Sequence, residues 1–441
     1  MNTEILIKIA QLFLAFTLIV GIHEFGHFIS ARLFGIRVEK FYIFFDPWFS
    51  LFKFRRGGTE YGLGWLPLGG YVKIAGMIDE SMDKEQMKQP VQPDEFRAKP
   101  AWQRFIVMVA GVIMNVILAI AIFCGISYAW GESYFDNADA RWGYDFSEAG
   151  HVLGFEDGDR FISIDGEPVG DINGVVNALL LTSEGRTVTV EREGREVTFD
   201  IPFEKLLDMR KAEGYKNLFS LRQPVIVDST SDRAAASGLQ AGDEITAADG
   251  TDVRGNFALF SGLLGERCDS TVRLTVLRDG AAVELTAAVD SDGKIGFTLA
   301  NPYQSRMRRY TLLQAIPAGF RRTGAMISSY WQQLKLIFQP KSKMYEELGG
   351  FIAIGSIFPS EWNWPDFWFK TAFLSVILAV MNIIPIPGLD GGHALFTLWE
   401  MVTGRRPSDK FLEVMQYIGL AILLLLLVYA NGNDIYRFFI K

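Results

Sequence analysis

Cysteine is scarce in this chain of 441 residues, which contains only Cys124 and Cys268. Cys124 lies in an apolar stretch and Cys268 in a polar one, so the sequence offers no disulfide framework. Basic residues are not in excess either, since 43 Lys and Arg against 51 Asp and Glu give a net charge of −8. Without a dominant basic patch, we do not expect nucleic acid as a partner. Neither a covalent nucleophile motif nor a nucleotide-binding loop stands out.

Histidine is also rare, and two of the four histidines fall into one motif. His23 and His27 lie four residues apart, on one face of a predicted helix, so both imidazoles can reach one metal ion. Glu24 lies beside them, where a carboxylate could accept a proton from a water molecule at the metal. Chance copies of this motif occur in soluble proteins, but here it interrupts an apolar stretch. Ionisable groups in such a stretch cost free energy to place in the bilayer, so their presence indicates a function. The sequence therefore predicts a zinc protease that works inside the bilayer.

Four stretches are apolar and long enough to cross a bilayer, which takes about 20 residues. They cover residues 5–34, 102–130, 367–387 and 411–429. The first lacks a basic leading region and a small-residue cleavage site, so we interpret it as a retained helix and not as a signal peptide. Lysine and arginine cluster between spans one and two and between spans three and four, which predicts that both connections face the cytoplasm. Both termini and the long segment 131–366 are then expected outside.

The long segment contains an internal repeat, because residues 154–166 resemble residues 238–250. The matching positions lie 84 residues apart and are Gly158 with Gly242, Asp159 with Asp243, Gly166 with Gly250 and Val169 with Val253. One repeated small β-rich unit explains this better than chance. The shared pattern, G-[FL]-x-x-G-D-x-[IF]-x-x-x-D-G, resembles the PDZ family, whose members bind extended peptides at a sheet edge. Its early position in each unit is typical of circularly permuted PDZ domains. An equal alternative is that one or both copies bind nothing and act as spacers or steric filters.

Two histidines leave a catalytic zinc site one protein ligand short. The candidates lie at the end of the third span, where Pro385 and Pro387 break the helix. Freed backbone groups inside a membrane are tolerated only beside a cavity or buried protein. Asp390 would supply a carboxylate oxygen, and His393 is the rival ligand that chemistry alone does not reject. Topology supports either choice, because the first and third spans run in the same direction.

Taken together, the HExxH motif, the tandem repeat and the sequence N-x-x-P-x-P-x-L-D-G in the third span resemble the site-2 protease family. Within it, the chain is most similar to the bacterial regulator-of-sigma-E type with two PDZ domains. This resemblance implies that His23, His27 and Asp390 hold one Zn²⁺ per chain and that Glu24 is the general base. It also implies that Asp390, and not His393, is the third ligand.

The resemblance covers essentially the whole chain, including residues 35–39, 66–73 and 103–115. There are two departures. Val112 stands where the family often has proline, and residues 42–48 stand where the family has a glycine-rich stretch. Neither departure touches the metal ligands, and the second concerns the substrate-side β-structure.

Residues 60–74 combine strand-forming residues with glycines. The resemblance implies a β-structure that dips into the membrane and whose edge accepts an unwound substrate segment. An ordinary cytoplasmic hairpin is the alternative. The predicted substrate-binding residues are Gly69, Gly70, Tyr71 and Asn382. Asn382 could equally bond its own neighbours.

The predicted fold class is a polytopic α-helical membrane protein with four transmembrane helices, a membrane-associated β-structure and two β-rich PDZ domains in the extracytoplasmic segment. The predicted segments are the first span with HExxH (1–35), a cytoplasmic or membrane-reentrant β region (36–101), the second span (102–130), PDZ domain 1 (131–222), PDZ domain 2 (223–305), an amphipathic juxtamembrane region (306–366), the third span (367–392), a cytoplasmic loop (393–410), the fourth span (411–430) and an extracytoplasmic tail (431–441). Within the juxtamembrane region, residues 311–338 are predicted to form an amphipathic helix, interrupted at Pro317, on the outer membrane surface.

The resemblance implies intramembrane cleavage of single-span proteins, such as anti-sigma factors and signal-peptide remnants, in a bacterial inner membrane during an envelope stress response. The PDZ domains would exclude substrates whose outer domain is intact, membrane lipid would surround the spans, and the active site would face the cytoplasmic half of the bilayer. A non-catalytic, membrane-anchored PDZ scaffold with a structural metal site is the alternative. Glu24 argues against it, because a structural site needs no base. A membrane-tethered zinc protease acting on soluble proteins conflicts with the position of the motif inside a span.

Overall fold

The chain forms two compact units, Met1–Gly131 with Arg309–Lys441, and Glu132–Arg308. The computed structural model describes residues 3–66, 69–77, 89–182, 184–211, 217–303, 305–342 and 344–440. Predictions for residues 67–68, within the substrate-side stretch, and for residues 78–88, within the β region, lie outside the described residues.

Four helices in the described part of the first unit are long and apolar enough to cross a membrane. This confirms the prediction of four stretches with that length and composition. They are α1 (Thr3–Leu33), α2 (Ala101–Trp130), α10 (Trp364–Ile383) and α12 (Asp409–Ile435). Polar side chains begin two of them: Asn363 accepts a hydrogen bond from the N–H of Asp366, and Ser408 accepts one from the N–H of Phe411. Such caps satisfy backbone donors that have no partner inside the helix.

The first unit also contains further helices. They are α8 (Leu312–Ile337), α9 (Phe351–Ser356), α11 (Asp390–Thr403) and a π-helical turn (Tyr436–Ile440). α11 was not predicted from the sequence. It begins inside the predicted third span and continues through most of the predicted cytoplasmic loop.

The predicted interruption of α8 at Pro317 is wrong, because the helix continues through this proline. Pro317 is the sixth residue of α8, so its ring removes a single hydrogen bond near the helix start. A capping box between Thr311 and Gln314 stabilises that start. Gly319 then packs closely against α2, since a Cβ there would lie 2.3 Å from Sγ of Cys124, and the neighbouring Ala318 is buried. The position of α8 at the membrane surface stays a prediction.

A four-stranded sheet lies between α1 and α2 in sequence. Its strands are β1 (Val38–Ile43), β2 (Phe52–Arg56), β3 (Thr59–Leu63) and β4 (Tyr71–Ile74), in the spatial order β2-β3-β1-β4. β1 runs parallel to β3 and antiparallel to β4. β4 is therefore an edge strand, with one side free of the sheet's own hydrogen bonds.

The second unit is built mainly of strands. They are β5 (Glu132–Tyr134), β6 (Tyr144–Phe146), β7 (Arg160–Ile164), β8 (Glu167–Pro168), β9 (Arg186–Arg192), β10 (Arg195–Ile201), β11 (Phe219–Leu221), β12 (Val227–Thr230), β13 (Glu244–Ala248), β14 (Thr251–Asp252), β15 (Thr271–Arg278), β16 (Ala281–Ala288), β17 (Phe297–Leu299) and β18 (Arg306–Arg308). The helices between them are α3 (Glu148–Leu153), α4 (Val175–Leu180), α5 (Phe203–Lys211), α6 (Asp232–Ala236) and α7 (Phe257–Gly265). β5 pairs with β18, so the chain enters and leaves this unit along one short ladder.

The two sequence repeats have the same strand order. The first forms the sheet β10-β9-β7-β8 and the second the sheet β16-β15-β13-β14. In each, an Asp-Gly turn with positive φ at both residues closes a hairpin, at Asp165-Gly166 (50° and 80°) and at Asp249-Gly250 (48° and 84°). The repeat seen in the sequence is therefore a repeat of structure. The two cores differ in their buried aromatic residues, because the first contains Tyr144, Phe146, Phe155 and Phe161 and the second contains Phe260.

Candidate metal centre

Three candidate ligands converge at one point of the first unit. His23 and His27 lie on α1, and Asp390 is the first residue of α11. Nε2 of His23 lies 3.4 Å from Nε2 of His27. Oδ2 of Asp390 lies 3.2 Å from the first of these nitrogens and 3.3 Å from the second. Each histidine is 7% exposed.

These separations fit a tetrahedral zinc ion. Zinc bound at about 2.0–2.1 Å separates the ligand atoms of a tetrahedron by roughly 3.3 Å. Oδ2 of Asp390 is buried and accepts no hydrogen bond from the described residues. A buried carboxylate oxygen without a donor is expensive, and a cation at this point would satisfy it. The donor set of two imidazole nitrogens and one carboxylate oxygen is one that catalytic zinc sites use.

The backbone around the prolines explains how Asp390 reaches the histidines. α10 ends at Ile383, and its chain leaves in an extended conformation before Pro385. α11 packs tightly on this connection, because a Cβ on Gly391 would lie 2.4 Å from the carbonyl oxygen of Ile384. On the other side, a Cβ on Gly419 of α12 would lie 1.5 Å from the carbonyl oxygen of Pro387. Glycine at both positions lets the connection fit between α11 and α12.

Helix α2 contacts both histidines from the opposite side. Nδ1 of His27 lies 2.8 Å from the carbonyl oxygen of Val107. Nδ1 of His23 lies 3.2 Å from the amide group of Asn115. The Nε2 atoms of both histidines are thereby turned toward Asp390.

A cavity of about 730 Å³ opens beside the ligands, and all the predicted site residues line it. They are His23, Glu24, His27, Gly69, Gly70, Tyr71, Asn382 and Asp390. Glu24 is half-buried at the wall of the cavity. Gly70 lies close to it, since a Cβ there would lie 3.0 Å from Cγ of Glu24. Nδ2 of Asn382 lies 3.2 Å from Nε2 of His23, so this amide is next to the ligand group.

Edge strand β4 forms one wall of the same cavity. The hydroxyl of Tyr71 donates a hydrogen bond to Oδ1 of Asp46 at 2.9 Å. Burial and this carboxylate raise the pKa of Tyr71 well above its usual value. The tyrosine therefore stays protonated and fixed as a donor to Asp46.

His393 lies in the same cavity but outside the ligand group. Its Nε2 donates to Oε1 of Gln416, 3.1 Å away. The described residues whose ligand atoms all lie within 4.8 Å of one another are His23, His27 and Asp390. Sequence analysis assigned no role to Gln416 or Asp46. Gln416 and Glu413 are polar residues near the start of the predicted fourth span, which is a signal that the sequence does contain.

Comparisons with known proteins agree with this geometry. The family model described as Peptidase family M50 matches residues 11–426. A Xylella fastidiosa protein named "Putative zinc metalloprotease" is 28% identical over 443 residues, which cover 96% of this chain and 97% of the relative. A protein named regulator of sigma E protease from Haemophilus influenzae is 28% identical over 469 residues, covering 98% of this chain and 99% of the relative. A protein of the same name from Salmonella typhi is 28% identical over 482 residues, with the same coverage.

Proposed function

This chain belongs to peptidase family M50 and is a zinc metalloprotease, and we propose that it hydrolyses peptide bonds inside the membrane-spanning segments of single-span proteins. The observation that carries the proposal is the position of the ligand group. His23 and His27 lie in the second half of α1, more than one helical turn before its last residue, Leu33, and α1 is long and apolar enough to cross a membrane. A peptide bond cleaved there would lie within the bilayer.

In this proposal, His23, His27 and Asp390 hold one zinc ion per chain. When bound, zinc supplies a Lewis acid and lowers the pKa of a water molecule toward about 7. Glu24 accepts the proton of the attacking water and returns it to the amine that leaves. His393, bonded to Gln416, stays outside the ligand group.

The edge of β4 is the proposed binding site for the substrate backbone. A membrane-spanning substrate arrives as a helix, and its backbone groups need new partners once it unwinds. An exposed strand edge supplies such partners by strand addition. Strand β4 and the residues Gly69 and Gly70 before it share a cavity with the ligand group, so an added strand would pass the metal. We assign the side-chain amide of Asn382, next to His23, to a bond with the substrate backbone near the cleaved carbonyl.

The two repeats of residues 132–308 are proposed to be PDZ domains that filter substrates by size. The lysine and arginine distribution supports four spans with the repeat pair and both termini outside the cytoplasm, and an active site toward the cytoplasmic half. The organisms of the relatives support a bacterial inner membrane. The names of the relatives from Haemophilus and Salmonella support anti-sigma factors as substrates. Signal-peptide remnants are a second substrate class of the same chemistry.

Mapping the cut in a model substrate tests the proposal. The purified full chain is incubated with a single-span protein that lacks its outer domain, and the products are identified by mass spectrometry. We expect one cut within the apolar span, inhibition by a zinc chelator and recovery on adding zinc. A cut only outside the span would contradict intramembrane proteolysis. The absence of any cut, with zinc bound, would favour the scaffold alternative.

A further inference from the structure

One face of α2 forms a wall of the ligand group. Val107, Gly111 and Asn115 are spaced by four residues and therefore lie on the same side of this helix. Val107 contacts His27, and Asn115 contacts His23. α1 and α2 thus run in opposite directions, with Gly111 between the two contacts.

Gly111 allows this close approach. A Cβ at this position would lie 2.3 Å from Nε2 of His27 and 2.7 Å from Cε1 of His23. Gly26 of α1 makes the reciprocal approach, since a Cβ there would lie 2.5 Å from the carbonyl oxygen of Ala110. The two helices therefore touch across glycines at the level of the ligands.

The contact between His27 and Val107 fixes one tautomer. A backbone carbonyl oxygen can only accept, so Nδ1 of His27 carries the proton and Nε2 presents its lone pair. This is the pattern that metal-binding histidines use, with the second ring nitrogen bonded to a neighbouring acceptor.

Nδ1 of His23, which faces Asn115, likewise needs a hydrogen-bond acceptor if Nε2 of this histidine binds the metal. If Nε2 of His23 binds zinc, Nδ1 carries a proton and must donate it. Asn115 is fully buried, and its Oδ1 has no hydrogen-bond partner among the described residues. Nδ2 of Asn115 is the atom that lies 3.2 Å from Nδ1 of His23, and a half-turn of the amide would exchange it for Oδ1. Oδ1 and the Nδ1–H group of His23 would then each have a partner. The backbone of Asn115 is anchored as well, because Oγ of Ser375 donates to its carbonyl oxygen at 2.8 Å.

We propose that Asn115 is a positioning residue, whose side-chain carbonyl holds His23 in the tautomer and orientation that bind zinc. This inference rests on the proposed metal centre, since it assigns Nε2 of His23 to the metal. It gives α2 a role in the site although α2 supplies no ligand.

Zinc affinity tests the proposal without relying on activity. The full chain in detergent micelles competes for zinc with a chromophoric chelator, and the metal alone is the probe. We expect Asn115→Leu, which has similar volume but no acceptor, to bind zinc about 10–100-fold more weakly, as for other residues that orient metal ligands. Asn115→Asp keeps an acceptor for Nδ1–H and should stay within about threefold of the parent. A purely structural role would not produce this rescue.

Ser375→Ala is the matched control. It removes the bond to the backbone of Asn115 and leaves the side-chain amide untouched, so zinc affinity should equal that of the parent. If Asn115→Leu does not fold, Asn115→Ala replaces it, because a smaller side chain makes no steric demand. Parent-like affinity in the Leu or Ala variant, or equal weakening in the Asp variant, would overturn the proposal. If His23→Ala binds zinc as tightly as the parent, the proposed metal centre itself is wrong.

Discussion

The repeats and the ligand group both bury carboxylate oxygens, and these oxygens have different partners in the two regions. In the repeats, Asp159 and Asp243 are each 1% exposed and fully paired. Arg278 donates to both oxygens of Asp243 at 2.7 Å and to the carbonyl oxygen of Gly238. Arg192 makes the same three bonds around Asp159. At the ligand group, by contrast, Oδ2 of Asp390 is buried between two imidazoles and accepts no hydrogen bond from the described residues.

The difference separates a carboxylate with a structural role from the carboxylate that we propose to bind the metal. The guanidinium of Arg278 and the N–H of Gln240 give each oxygen of Asp243 a donor, so this carboxylate is satisfied within the repeat. The orphaned oxygen of Asp390 retains that capacity. We therefore expect changes in the repeats to affect stability and changes at Asp390 to affect metal binding.

The largest expected effect is that of Asp390→Asn. This change removes the anionic ligand, so zinc affinity should fall by more than about 100-fold, beyond the loss caused by removing outer partners of a ligand. Cleavage should cease, while the metal-free protein should melt no earlier than the parent. Competition with a chelator measures the zinc affinity, and calorimetry measures the melting temperature of the metal-free protein. Asp409→Asn, on the surface of α12, is the control, and a parent-like affinity of Asp390→Asn would refute the assignment.

Arg278→Leu should have the opposite effects to Asp390→Asn, because it should lower the stability of the second repeat and leave the zinc affinity unchanged. It removes the guanidinium from the buried carboxylate of Asp243 and leaves the N–H of Gln240 as its donor, which should lower the free energy of unfolding of this repeat by roughly 3 kcal/mol. Hydrogen exchange of peptides from residues 227–299 of the full chain should show this, at unchanged zinc affinity. Arg254→Leu, which breaks an ion pair with Asp252 at 64% and 60% side-chain exposure, should change stability by less than about 1 kcal/mol. Equal effects of the two variants would remove the distinction between buried and surface pairs.

Acid should weaken the second repeat through Asp243. Burial alone would raise the pKa of Asp243, but the bonds from Arg278 and the N–H of Gln240 outweigh it and hold the pKa below its usual value. A carboxyl group whose pKa is lower in the folded state stabilises the fold above its unfolded pKa, and this contribution disappears as the pH falls through the folded pKa. Calorimetry should therefore show the parent more stable than Asp243→Asn at neutral pH, with the gap narrowing below about pH 4. A gap that is constant down to pH 2 would contradict this role.

His393→Asn should have the smallest effect. Its Nε2 is bonded to Gln416, outside the ligand group, so zinc affinity should stay within about threefold of the parent. The same chelator competition measures it, beside Asp390→Asn. A large loss of zinc would make His393 the third ligand.

Patterns within single segments were predictable from the sequence. The four long helices follow from apolar length, and the repeat follows from the offset of 84 residues, which the strands β7 and β13 reproduce. The spacing of His23 and His27 depends only on helix geometry. The resemblance implied Asp390, and the structure brings it to the histidines.

Contacts between distant segments were not predictable in this way. The contact between Asn115 and His23 joins residues 92 apart, and nothing in either local pattern specifies it. α11 was missed because the prolines and glycines before it are typical of a loop. Pro317 was misjudged because packing on α2 and a capping box offset one lost hydrogen bond. Tertiary contacts decided each of these cases.

The most direct test of the central claim is cleavage of a single-span substrate by the parent and by Glu24→Gln, with bound zinc measured in both. Glutamine keeps the size of Glu24 but cannot accept the proton of the attacking water. We predict that both proteins bind one zinc ion and that only the parent cuts. Equal cleavage by the two proteins would contradict Glu24 as the base of an intramembrane zinc protease.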